Sequence, residues 1–326
     1  HKEYRRQRQM CIRDRADTWR MIILFPVYSD LRQNIEILKN FLFKSTMTTQ
    51  HIKEHMPDIL AFLAEDVGVG DITAKIIPET KQAYAELITR DSMVLCGCEW
   101  FEAIFQHLNP DILIDWRVKE GESIDANSSL CVLKGNARAL LTGERTALNL
   151  LQTLSATATM SRQYANAIKG TNCKILDTRK TIPGLRAAQK YAVQCGGCYN
   201  HRLGLFDGIL IKENHIIAAG SISNAIQMAR TQSELSIEVE VENLDELIQA
   251  LSAKPDRIML DNFTLEELRT AVKLTTNQIP LEASGNIDLH NVYDVAQTGV
   301  DFISIGALTK NIHAIDLSMR INLISD

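Results

Sequence analysis

The sequence lacks the features by which membrane-spanning and secreted proteins are usually recognised. It contains no uninterrupted apolar run of about 18 residues, the length that a bilayer-spanning helix requires. Its seven cysteines are odd in number and scattered through 326 residues, which is not the pattern of a disulfide framework. We therefore expect no membrane partner and a reducing, cytoplasmic location.

The chain also lacks the net positive charge of common nucleic-acid-binding proteins and the glycine-rich loops of common nucleotide-binding proteins. With 35 basic and 40 acidic residues its formal net charge is −5, whereas a general nucleic-acid binder is usually basic. Neither a G-x-x-x-x-G-K-[ST] loop nor a G-x-G-x-x-G fingerprint occurs. These absences argue against nucleic acid as a partner and against an ordinary nucleotide-binding loop.

From about residue 173 onward, short β-rich runs alternate with segments of helical period. The runs are CKILD (173–177), GILIK (208–212), SIEVEV (236–241), RIML (257–260), PLEAS (280–284) and FISIG (302–306). They begin about 20 to 35 residues apart, the spacing of βα units in a parallel sheet. Nearly every run ends in polar residues, and in a βα barrel these ends converge on one face. The pattern predicts an incomplete α/β barrel of about six parallel strands over residues 169–310.

The first part of the chain predicts a separate, smaller domain. Residues 81–135 carry strand-like runs around the helical segment CEWFEAIFQHL, and a long helix with regularly spaced leucines follows. We expect this domain to cover residues 47–168 and the C-terminal segment 311–326 to pack back on it. Residues 1–46 are expected to be an extension of doubtful origin, either disordered or not native.

Cationic side chains gather at the ends of the first two barrel runs and in the loop between them. They are Arg179, Lys180, His201, Arg202 and Lys212. A single Arg or Lys is usually a solvated surface residue, but five at adjacent strand ends favour an anionic ligand, since uncompensated charge is costly to bury. Arginine also binds carboxylates and phosphates through its planar fork.

The later strand ends predict a sugar site and a phosphate site. Glu240 and Asp261 end neighbouring runs, and two such carboxylates suit sugar hydroxyl groups and Mg²⁺. The segments EASGN and SIGALTK place small residues and backbone N–H groups at the last two strand ends, where βα barrels often hold a phosphate. Together these features predict a site for a phosphorylated sugar and a second anionic substrate.

A series of motifs, in order from about residue 63 to the C-terminus, resembles the quinolinate phosphoribosyltransferase family. The motifs are LAEDVGVGDIT, GERTALNLL, DTRKTIPGLRAAQKYAV, CGGCYNHRLGLFDGILIKENHI, EVEVENLDEL, IMLDNF, EASGNI and GVDFISIGALTK. The resemblance implies an N-terminal α/β sandwich domain, an incomplete α/β barrel and a homodimer. It also implies the joining of quinolinate to phosphoribosyl pyrophosphate, with Mg²⁺, to give nicotinate mononucleotide, CO₂ and pyrophosphate in de novo NAD biosynthesis.

The resemblance further implies roles for individual residues. Quinolinate would be bound by Arg145 (from the partner subunit), Thr178, Arg179, His201, Arg202 and Lys212. Lys180, Glu240 and Asp261 would be catalytic and would bind phosphoribosyl pyrophosphate together with Ser284, Gly285, Asn286, Ile305, Gly306 and Ala307. Mg²⁺ would be held through Glu240 and Asp261, directly or indirectly. The chain departs from the family pattern at Cys198, often a glycine, and at Lys310-Asn311, where many members carry a histidine.

Three other functions stay open on the sequence alone. A class I aldolase would use Lys212 at a strand end to form a Schiff base. A non-catalytic protein would bind phosphoribosyl pyrophosphate without releasing pyrophosphate. A related phosphoribosyltransferase would act on nicotinate or another pyridine carboxylate, although the number of cations favours a dicarboxylate.

The segment CGGCYNH, residues 195–201, suggests at first a metal or redox site. A structural zinc site needs about four ligands, and no second Cys/His pair with suitable spacing is evident, because Cys96 and Cys98 fall in the other predicted domain. A redox C-x-x-C would normally open a helix in a thioredoxin-like unit. We therefore expect the glycines to shape a loop that delivers His201 and Arg202, and the sulfur to be incidental.

Overall fold

The structure is a computed structural model that describes residues 59–324. These residues belong to one compact unit, Glu54–Asp326. The predicted extension, residues 1–46, lies outside the described part of the chain. The described part starts with a helical segment at residues 59–67, followed by a 3₁₀ turn at Ala74–Ile76.

An antiparallel sheet of four strands, in the order β12-β1-β5-β3, forms the first layer. Its strands are β1 (Gln82–Thr89), β3 (Leu113–Trp116), β5 (Ser129–Asn136) and β12 (Leu317–Leu323). In β1 every second residue is buried, as expected for a sheet with one face on a core. The last strand of the chain pairs with the first, Tyr84 opposite Asn322. A short pair, β2 (Met93–Val94) and β4 (Ser123–Ile124), adjoins this layer.

Two helices bury the inner face of this sheet. Helix α1 (Cys98–Leu108) contributes Phe101 and Phe105, whose ring centroids lie 5.0 Å apart. Helix α2 (Ala137–Ala167) begins where the Asn136 side chain accepts a hydrogen bond from the backbone of Ala139, a typical N-cap. Among the described residues, no helix is both long and apolar enough to cross a membrane.

The second layer is a sheet of six parallel strands in the order β6-β11-β10-β9-β8-β7. The strands are β6 (Lys174–Leu176), β7 (Ile209–Ile211), β8 (Ile237–Val241), β9 (Arg257–Asp261), β10 (Leu281–Ser284) and β11 (Phe302–Ser304). The helices between and after them are α3 (Arg186–Cys195), α4 (Glu213–Ala219), α5 (Ile222–Gln232), α6 (Leu244–Ala253), α7 (Leu265–Thr275), α8 (Val292–Ala296) and α9 (Ala307–Lys310). Because β6 and β7 lie at opposite ends of this order, the sheet is open between them.

The predicted fold class is confirmed: an α/β chain with six parallel strands and a separate sheet before them. Each predicted run overlaps one observed strand, and the ends of the run and of the strand differ by at most two residues. Alternate residues such as Val239 and Leu260 are fully buried. Helices α5 to α7 start at side-chain caps; Thr264 and Glu267, for example, form a complete capping box.

Gly196, directly after α3, lies in close contact with α2. Its φ of −70° is an ordinary helical value, so the backbone conformation does not require glycine. A Cβ atom at this position would overlap the main-chain oxygen of Ala158 and the Cβ of Ser161. Arg162 holds the contact by donating to the Gly196 oxygen at 2.8 Å and to the Cys195 oxygen at 3.0 Å.

We predict that Gly196→Ala lowers the free energy of unfolding by roughly 1–3 kcal/mol, because the added methyl group has no space against α2. Gly208→Ala is the matched control, since its Cβ would meet Arg202 Cβ at an ordinary 3.5 Å. We expect its effect to stay within about 0.5 kcal/mol. Urea unfolding followed by circular dichroism measures both, and equal stability of the two variants would contradict the packing argument.

Candidate active site

Most of the predicted site residues lie at the carboxyl ends of the six parallel strands; His201 and Arg202 lie in the loop after α3, and Arg145 lies on α2. Along the sheet, the strand ends carry in turn Thr178–Lys180, Ile305–Ala307, Ser284–Asn286, Asp261, Glu240 and Lys212. Register places Ser284 beside Asp261, and Lys212 forms an ion pair with Glu240 from the neighbouring strand. The fold therefore brings these residues to one edge, as expected for ligand sites of parallel sheets.

One part of this edge is cationic and surrounds Gly306. A Cβ atom on Gly306 would lie 3.1 Å from Lys180 Cδ, 3.6 Å from Thr178 Oγ1 and 3.8 Å from Lys310 Cε. Thr309 donates its hydroxyl to the Lys180 oxygen at 2.8 Å and so ties α9 to the end of β6. Lys310 departs from the family pattern in sequence, and in the structure it lies in the site.

The next part is a cavity of about 280 Å³ formed at the ends of β9 and β10. Asn262, Gly285 and Asn286 line it, and all three have positive φ. The Asn286 side chain donates to Asn262 Oδ1 at 3.1 Å, and a Cβ on Gly285 would overlap the Asn262 side chain. Glycine is therefore required at 285 by both conformation and space. Asn262 is a lining residue that strand-end reasoning missed, although it directly follows the predicted Asp261.

A buried ion pair, Asp177 with Lys190, holds the loop that follows α3. The two side chains are 0% and 4% exposed. Asp177 also accepts from the Asn200 side chain at 2.6 Å and from the His201 backbone at 2.8 Å, while Lys190 donates to the His201 oxygen at 3.0 Å. Burial raises the pKa of Asp177 and lowers that of Lys190, and the charge of each partner opposes the shift of the other. Sequence reasoning missed Lys190; its only signal is a lysine on the buried face of AAQKYAV.

His201 turns its ring into the barrel. Nδ1 accepts from the Arg202 backbone at 2.8 Å, and Nε2 lies 2.8 Å from Glu238 Oε2 and 3.6 Å from Glu282 Oε1. Because Nδ1 accepts a hydrogen bond, the proton of the neutral ring is on Nε2. Burial lowers the pKa of His201, which favours this neutral form.

Two carboxyl groups, Glu238 and Glu282, share the interior below His201. Both are nearly inaccessible, at 6% and 0%, and Arg257 donates to Glu282 Oε2 at 2.9 Å. Burial, followed by the charge of Glu238, raises the pKa of Glu282 to about 7. One of the pair therefore holds a proton near neutral pH.

Arg179 and Arg202 form the cationic end of the site. Arg202 donates to the Gly208 oxygen at 3.1 Å, and its pKa is lowered first by burial and then by the charge of Arg179. Within residues 59–324 neither guanidinium group forms an ion pair with a carboxylate. Two neighbouring guanidinium groups without a carboxylate partner are suited to bind an anion.

The models of two domains of one family match consecutive parts of the chain. The N-terminal domain of quinolinate phosphoribosyl transferase matches residues 71–155, and the C-terminal domain matches residues 157–320. The chain belongs to the quinolinate phosphoribosyltransferase family. The family predicted from the motifs is thereby confirmed.

Individual members of the family are similar over most of their length. A probable nicotinate-nucleotide pyrophosphorylase (carboxylating) from Synechocystis is 43% identical over 81% of this chain and 92% of its own length. The Bacillus subtilis protein of the same description is 41% identical over 80% and 91%. The solved structure of the nicotinate-nucleotide pyrophosphorylase from Francisella tularensis has a TM-score of 0.81 at 47% identity, covering 83% of this chain and 97% of that one.

The Glu238–Glu282 pair predicts a pH-dependent stability. Since the pKa of Glu282 in the folded chain, about 7, lies above its ordinary 4.5, folding favours the protonated form. The stabilisation is complete below pH 4.5 and is lost as pH rises through 7, by up to about 3 kcal/mol. We expect Glu282→Gln to lose less free energy of unfolding between pH 5 and pH 8 than the natural chain. Urea unfolding across that range checks this, with the exposed Glu234→Gln as control; parallel curves for Glu282→Gln and the natural chain would exclude the interpretation.

Proposed function

We propose that this protein transfers the phosphoribosyl group of phosphoribosyl pyrophosphate to quinolinate with decarboxylation. The products are nicotinate mononucleotide, CO₂ and pyrophosphate, in de novo NAD biosynthesis. Two observations together carry the proposal. Arg179 and Arg202 are guanidinium groups without a carboxylate partner, and a cavity lined by Ser284, Gly285 and Asn286 lies on the same strand-end edge. The family and its carboxylating relatives support it.

The cationic end of the site suits a pyridine dicarboxylate. Arg179 and Arg202 offer two planar forks, while Thr178 follows β6 and Lys212 follows β7, the two strands that border the open side of the sheet. A monocarboxylate such as nicotinate would leave part of this charge uncompensated, which favours quinolinate. His201 contributes by positioning and not by a charge of its own. Its neutral ring accepts a hydrogen bond from the Arg202 backbone N–H and so fixes the backbone position of Arg202.

The other end suits a phosphorylated ribose. Ser284, Gly285 and Asn286 would bind the 5′-phosphate together with Ile305, Gly306 and Ala307, through backbone N–H groups and small side chains. Lys180 would neutralise the pyrophosphate. Lys310 lies on the same side of Gly306 as Lys180 and would supply the positive charge that many members of the family place there as a histidine.

Glu240 and Asp261 would hold Mg²⁺. Their carboxylates end the neighbouring strands β8 and β9, and the Asn262 side chain donates to Asp261 Oδ2 at 2.7 Å. An all-oxygen donor set fits Mg²⁺, which binds one or two carboxylates together with substrate phosphates. When bound, the ion offsets negative charge on the departing pyrophosphate.

The chemistry needs positioning more than reactive side chains. Departure of pyrophosphate, assisted by Lys180, leaves an oxocarbenium-like carbon, and the carboxylates of Glu240 and Asp261 stabilise its developing positive charge. The pyridine nitrogen, oriented by Arg179 and Arg202, attacks that carbon. The resulting pyridinium ring accepts the electron pair released with CO₂, so no covalent enzyme intermediate is required.

The aldolase alternative depends on Lys212 as a free amine. In the structure Lys212 is ion-paired with Glu240, and its backbone N–H donates to His215 Nδ1 at 3.0 Å. An ion-paired ammonium group is not the free amine that Schiff-base formation requires. The arrangement therefore favours a charge-pairing role for Lys212, as in carboxylate binding, over aldol chemistry.

We predict that the protein with quinolinate, phosphoribosyl pyrophosphate and Mg²⁺ forms nicotinate mononucleotide and pyrophosphate. Arg202→Ala should raise KM for quinolinate by roughly 10- to 100-fold, about the worth of a charge-assisted hydrogen bond, and leave KM for phosphoribosyl pyrophosphate nearly unchanged. Arg230→Ala, which removes an exposed ion pair with Asp256, is the control and should behave like the natural chain. Absence of product would refute the function, whereas equal KM changes for both substrates would refute only the role of Arg202.

We also propose a cytoplasmic homodimer in which Arg145 completes the partner's site. Arg145 is exposed on α2, where a second chain could receive it. Six cysteines of the described residues are free thiols, which is consistent with a reducing compartment.

The shared site predicts complementation between weakened variants. At a quinolinate concentration near the KM of the natural chain, Arg145→Ala and Arg202→Ala should each lose most of their activity. Unfolding and refolding them together should restore part of it, because mixed dimers contain one site with neither substitution. Each variant refolded alone is the control. Mixed dimers that form but stay as inactive as the separate variants would rule out donation of Arg145 across an interface.

A further inference from the structure

Cys195, the first residue of CGGCYNH, is not isolated from the other cysteines. Its Sγ atom, the Sγ atom of Cys96 and a carboxylate oxygen of Glu120 all lie within 4.8 Å of one another. The three residues come from the end of α3, the segment between β2 and α1, and the turn between β3 and β4. Cys195 belongs to the predicted barrel, whereas Cys96 and Glu120 belong to the predicted first domain. They are nevertheless close in space, because α3 packs against the first layer through Ala188 and Ala192.

The cluster contains potential anions and no basic partner. Glu120 accepts from the backbone N–H groups of Gly97 at 2.8 Å and Cys98 at 3.2 Å, and across residues 59–324 it forms no ion pair with a basic side chain. Cys96 is fully buried. A divalent cation would supply the missing positive charge and displace the thiol protons.

Main-chain contacts fix the positions of all three groups. Cys96 donates its N–H to Ser155 Oγ at 3.0 Å and accepts the Ser155 hydroxyl at 3.1 Å. Gly121, next to Glu120, donates to the Leu95 oxygen at 2.8 Å. Arg162 donates to the oxygens of both Gly121 and Cys195, at 3.3 and 3.0 Å. The backbone positions from which the three side chains project are therefore fixed, which is part of what a preorganised site requires.

We propose that Cys96, Cys195 and Glu120 bind a divalent cation of the Zn²⁺ class, with a fourth position open to water. Two sulfurs and one oxygen are ligands that Zn²⁺ takes, and tetrahedral bonds of the usual length place ligand atoms roughly 3.8 Å apart, which is within the 4.8 Å that limits the three separations here. Mg²⁺, which prefers oxygen ligands, would not bind here. The cation would tie the end of α3, where the loop to Arg202 begins, to the first layer.

The test is a Co²⁺ titration of the full chain in a non-thiol reductant. Thiolate-bound Co²⁺ gives a near-ultraviolet charge-transfer band that carboxylate-bound Co²⁺ lacks. We expect the band to saturate at one ion per chain and to persist in excess Mg²⁺. Cys96→Ser and Cys195→Ser should each weaken Co²⁺ binding by at least roughly 10- to 100-fold, since loss of an outer-shell partner alone costs that much. Cys173→Ser, a buried free cysteine of the barrel, is the matched control and should bind as the natural chain does.

A second measurement separates ligand loss from misfolding. Zn²⁺ should raise the thermal midpoint of the natural chain and of Cys173→Ser, but not of Cys195→Ser or Glu120→Gln, provided that far-ultraviolet circular dichroism shows the fold intact without metal. A missing thiolate band in the natural chain would overturn the proposal, and so would a band that persists in both Cys96→Ser and Cys195→Ser. This outcome is independent of quinolinate turnover, so it can fail without affecting the proposed function.

Discussion

The site depends on the buried ion pair between Asp177 and Lys190. Asp177 lies just after β6, Lys190 lies on α3, and both bind the backbone of His201. A strand end, a helix and a loop are thus fixed at a single point below the cationic part of the site. Removal of one partner would leave an uncompensated buried charge, which typically costs about 3–5 kcal/mol. The position of Arg202, one residue further, follows from this pair.

A second polar group occupies the interior at the middle of the parallel sheet. His201, Glu238, Glu282 and Arg257 meet where alternation alone would place apolar side chains. Within the described chain, Glu238 Oε1, Glu282 Oε1 and His201 Nε2 have no well-directed hydrogen bond. Such a group costs stability. Its benefit is that it holds the histidine neutral and aligned with the Arg202 backbone.

The strands and the strand-end residues could be predicted because their signals are local. Each β run, such as RIML before Asp261, ends in its own polar residues, and the βα rhythm then dictates that these ends meet. The start of helix α2 at Ala137 is harder to predict, because the Asn136 side chain caps it and the periodicity of the leucines does not reveal that cap. Lys190, Lys310 and Cys96 could not be placed, since each acquires its role from a residue distant in sequence. Their contacts depend on how the helices pack against each other, and this packing is not marked by any short sequence motif.

The pairing of β12 with β1 has a consequence for how the chain is made. Tyr84 and Asn322 stand opposite each other, so the first sheet obtains its edge strand from residues that lie much later in the chain. All six parallel strands are synthesised in between, and each can find its neighbour soon after it emerges. Closing such a long loop is slow compared with local pairing. The first layer can therefore be completed only after the six parallel strands have been made, and until then β1 presents an unpaired edge to other chains.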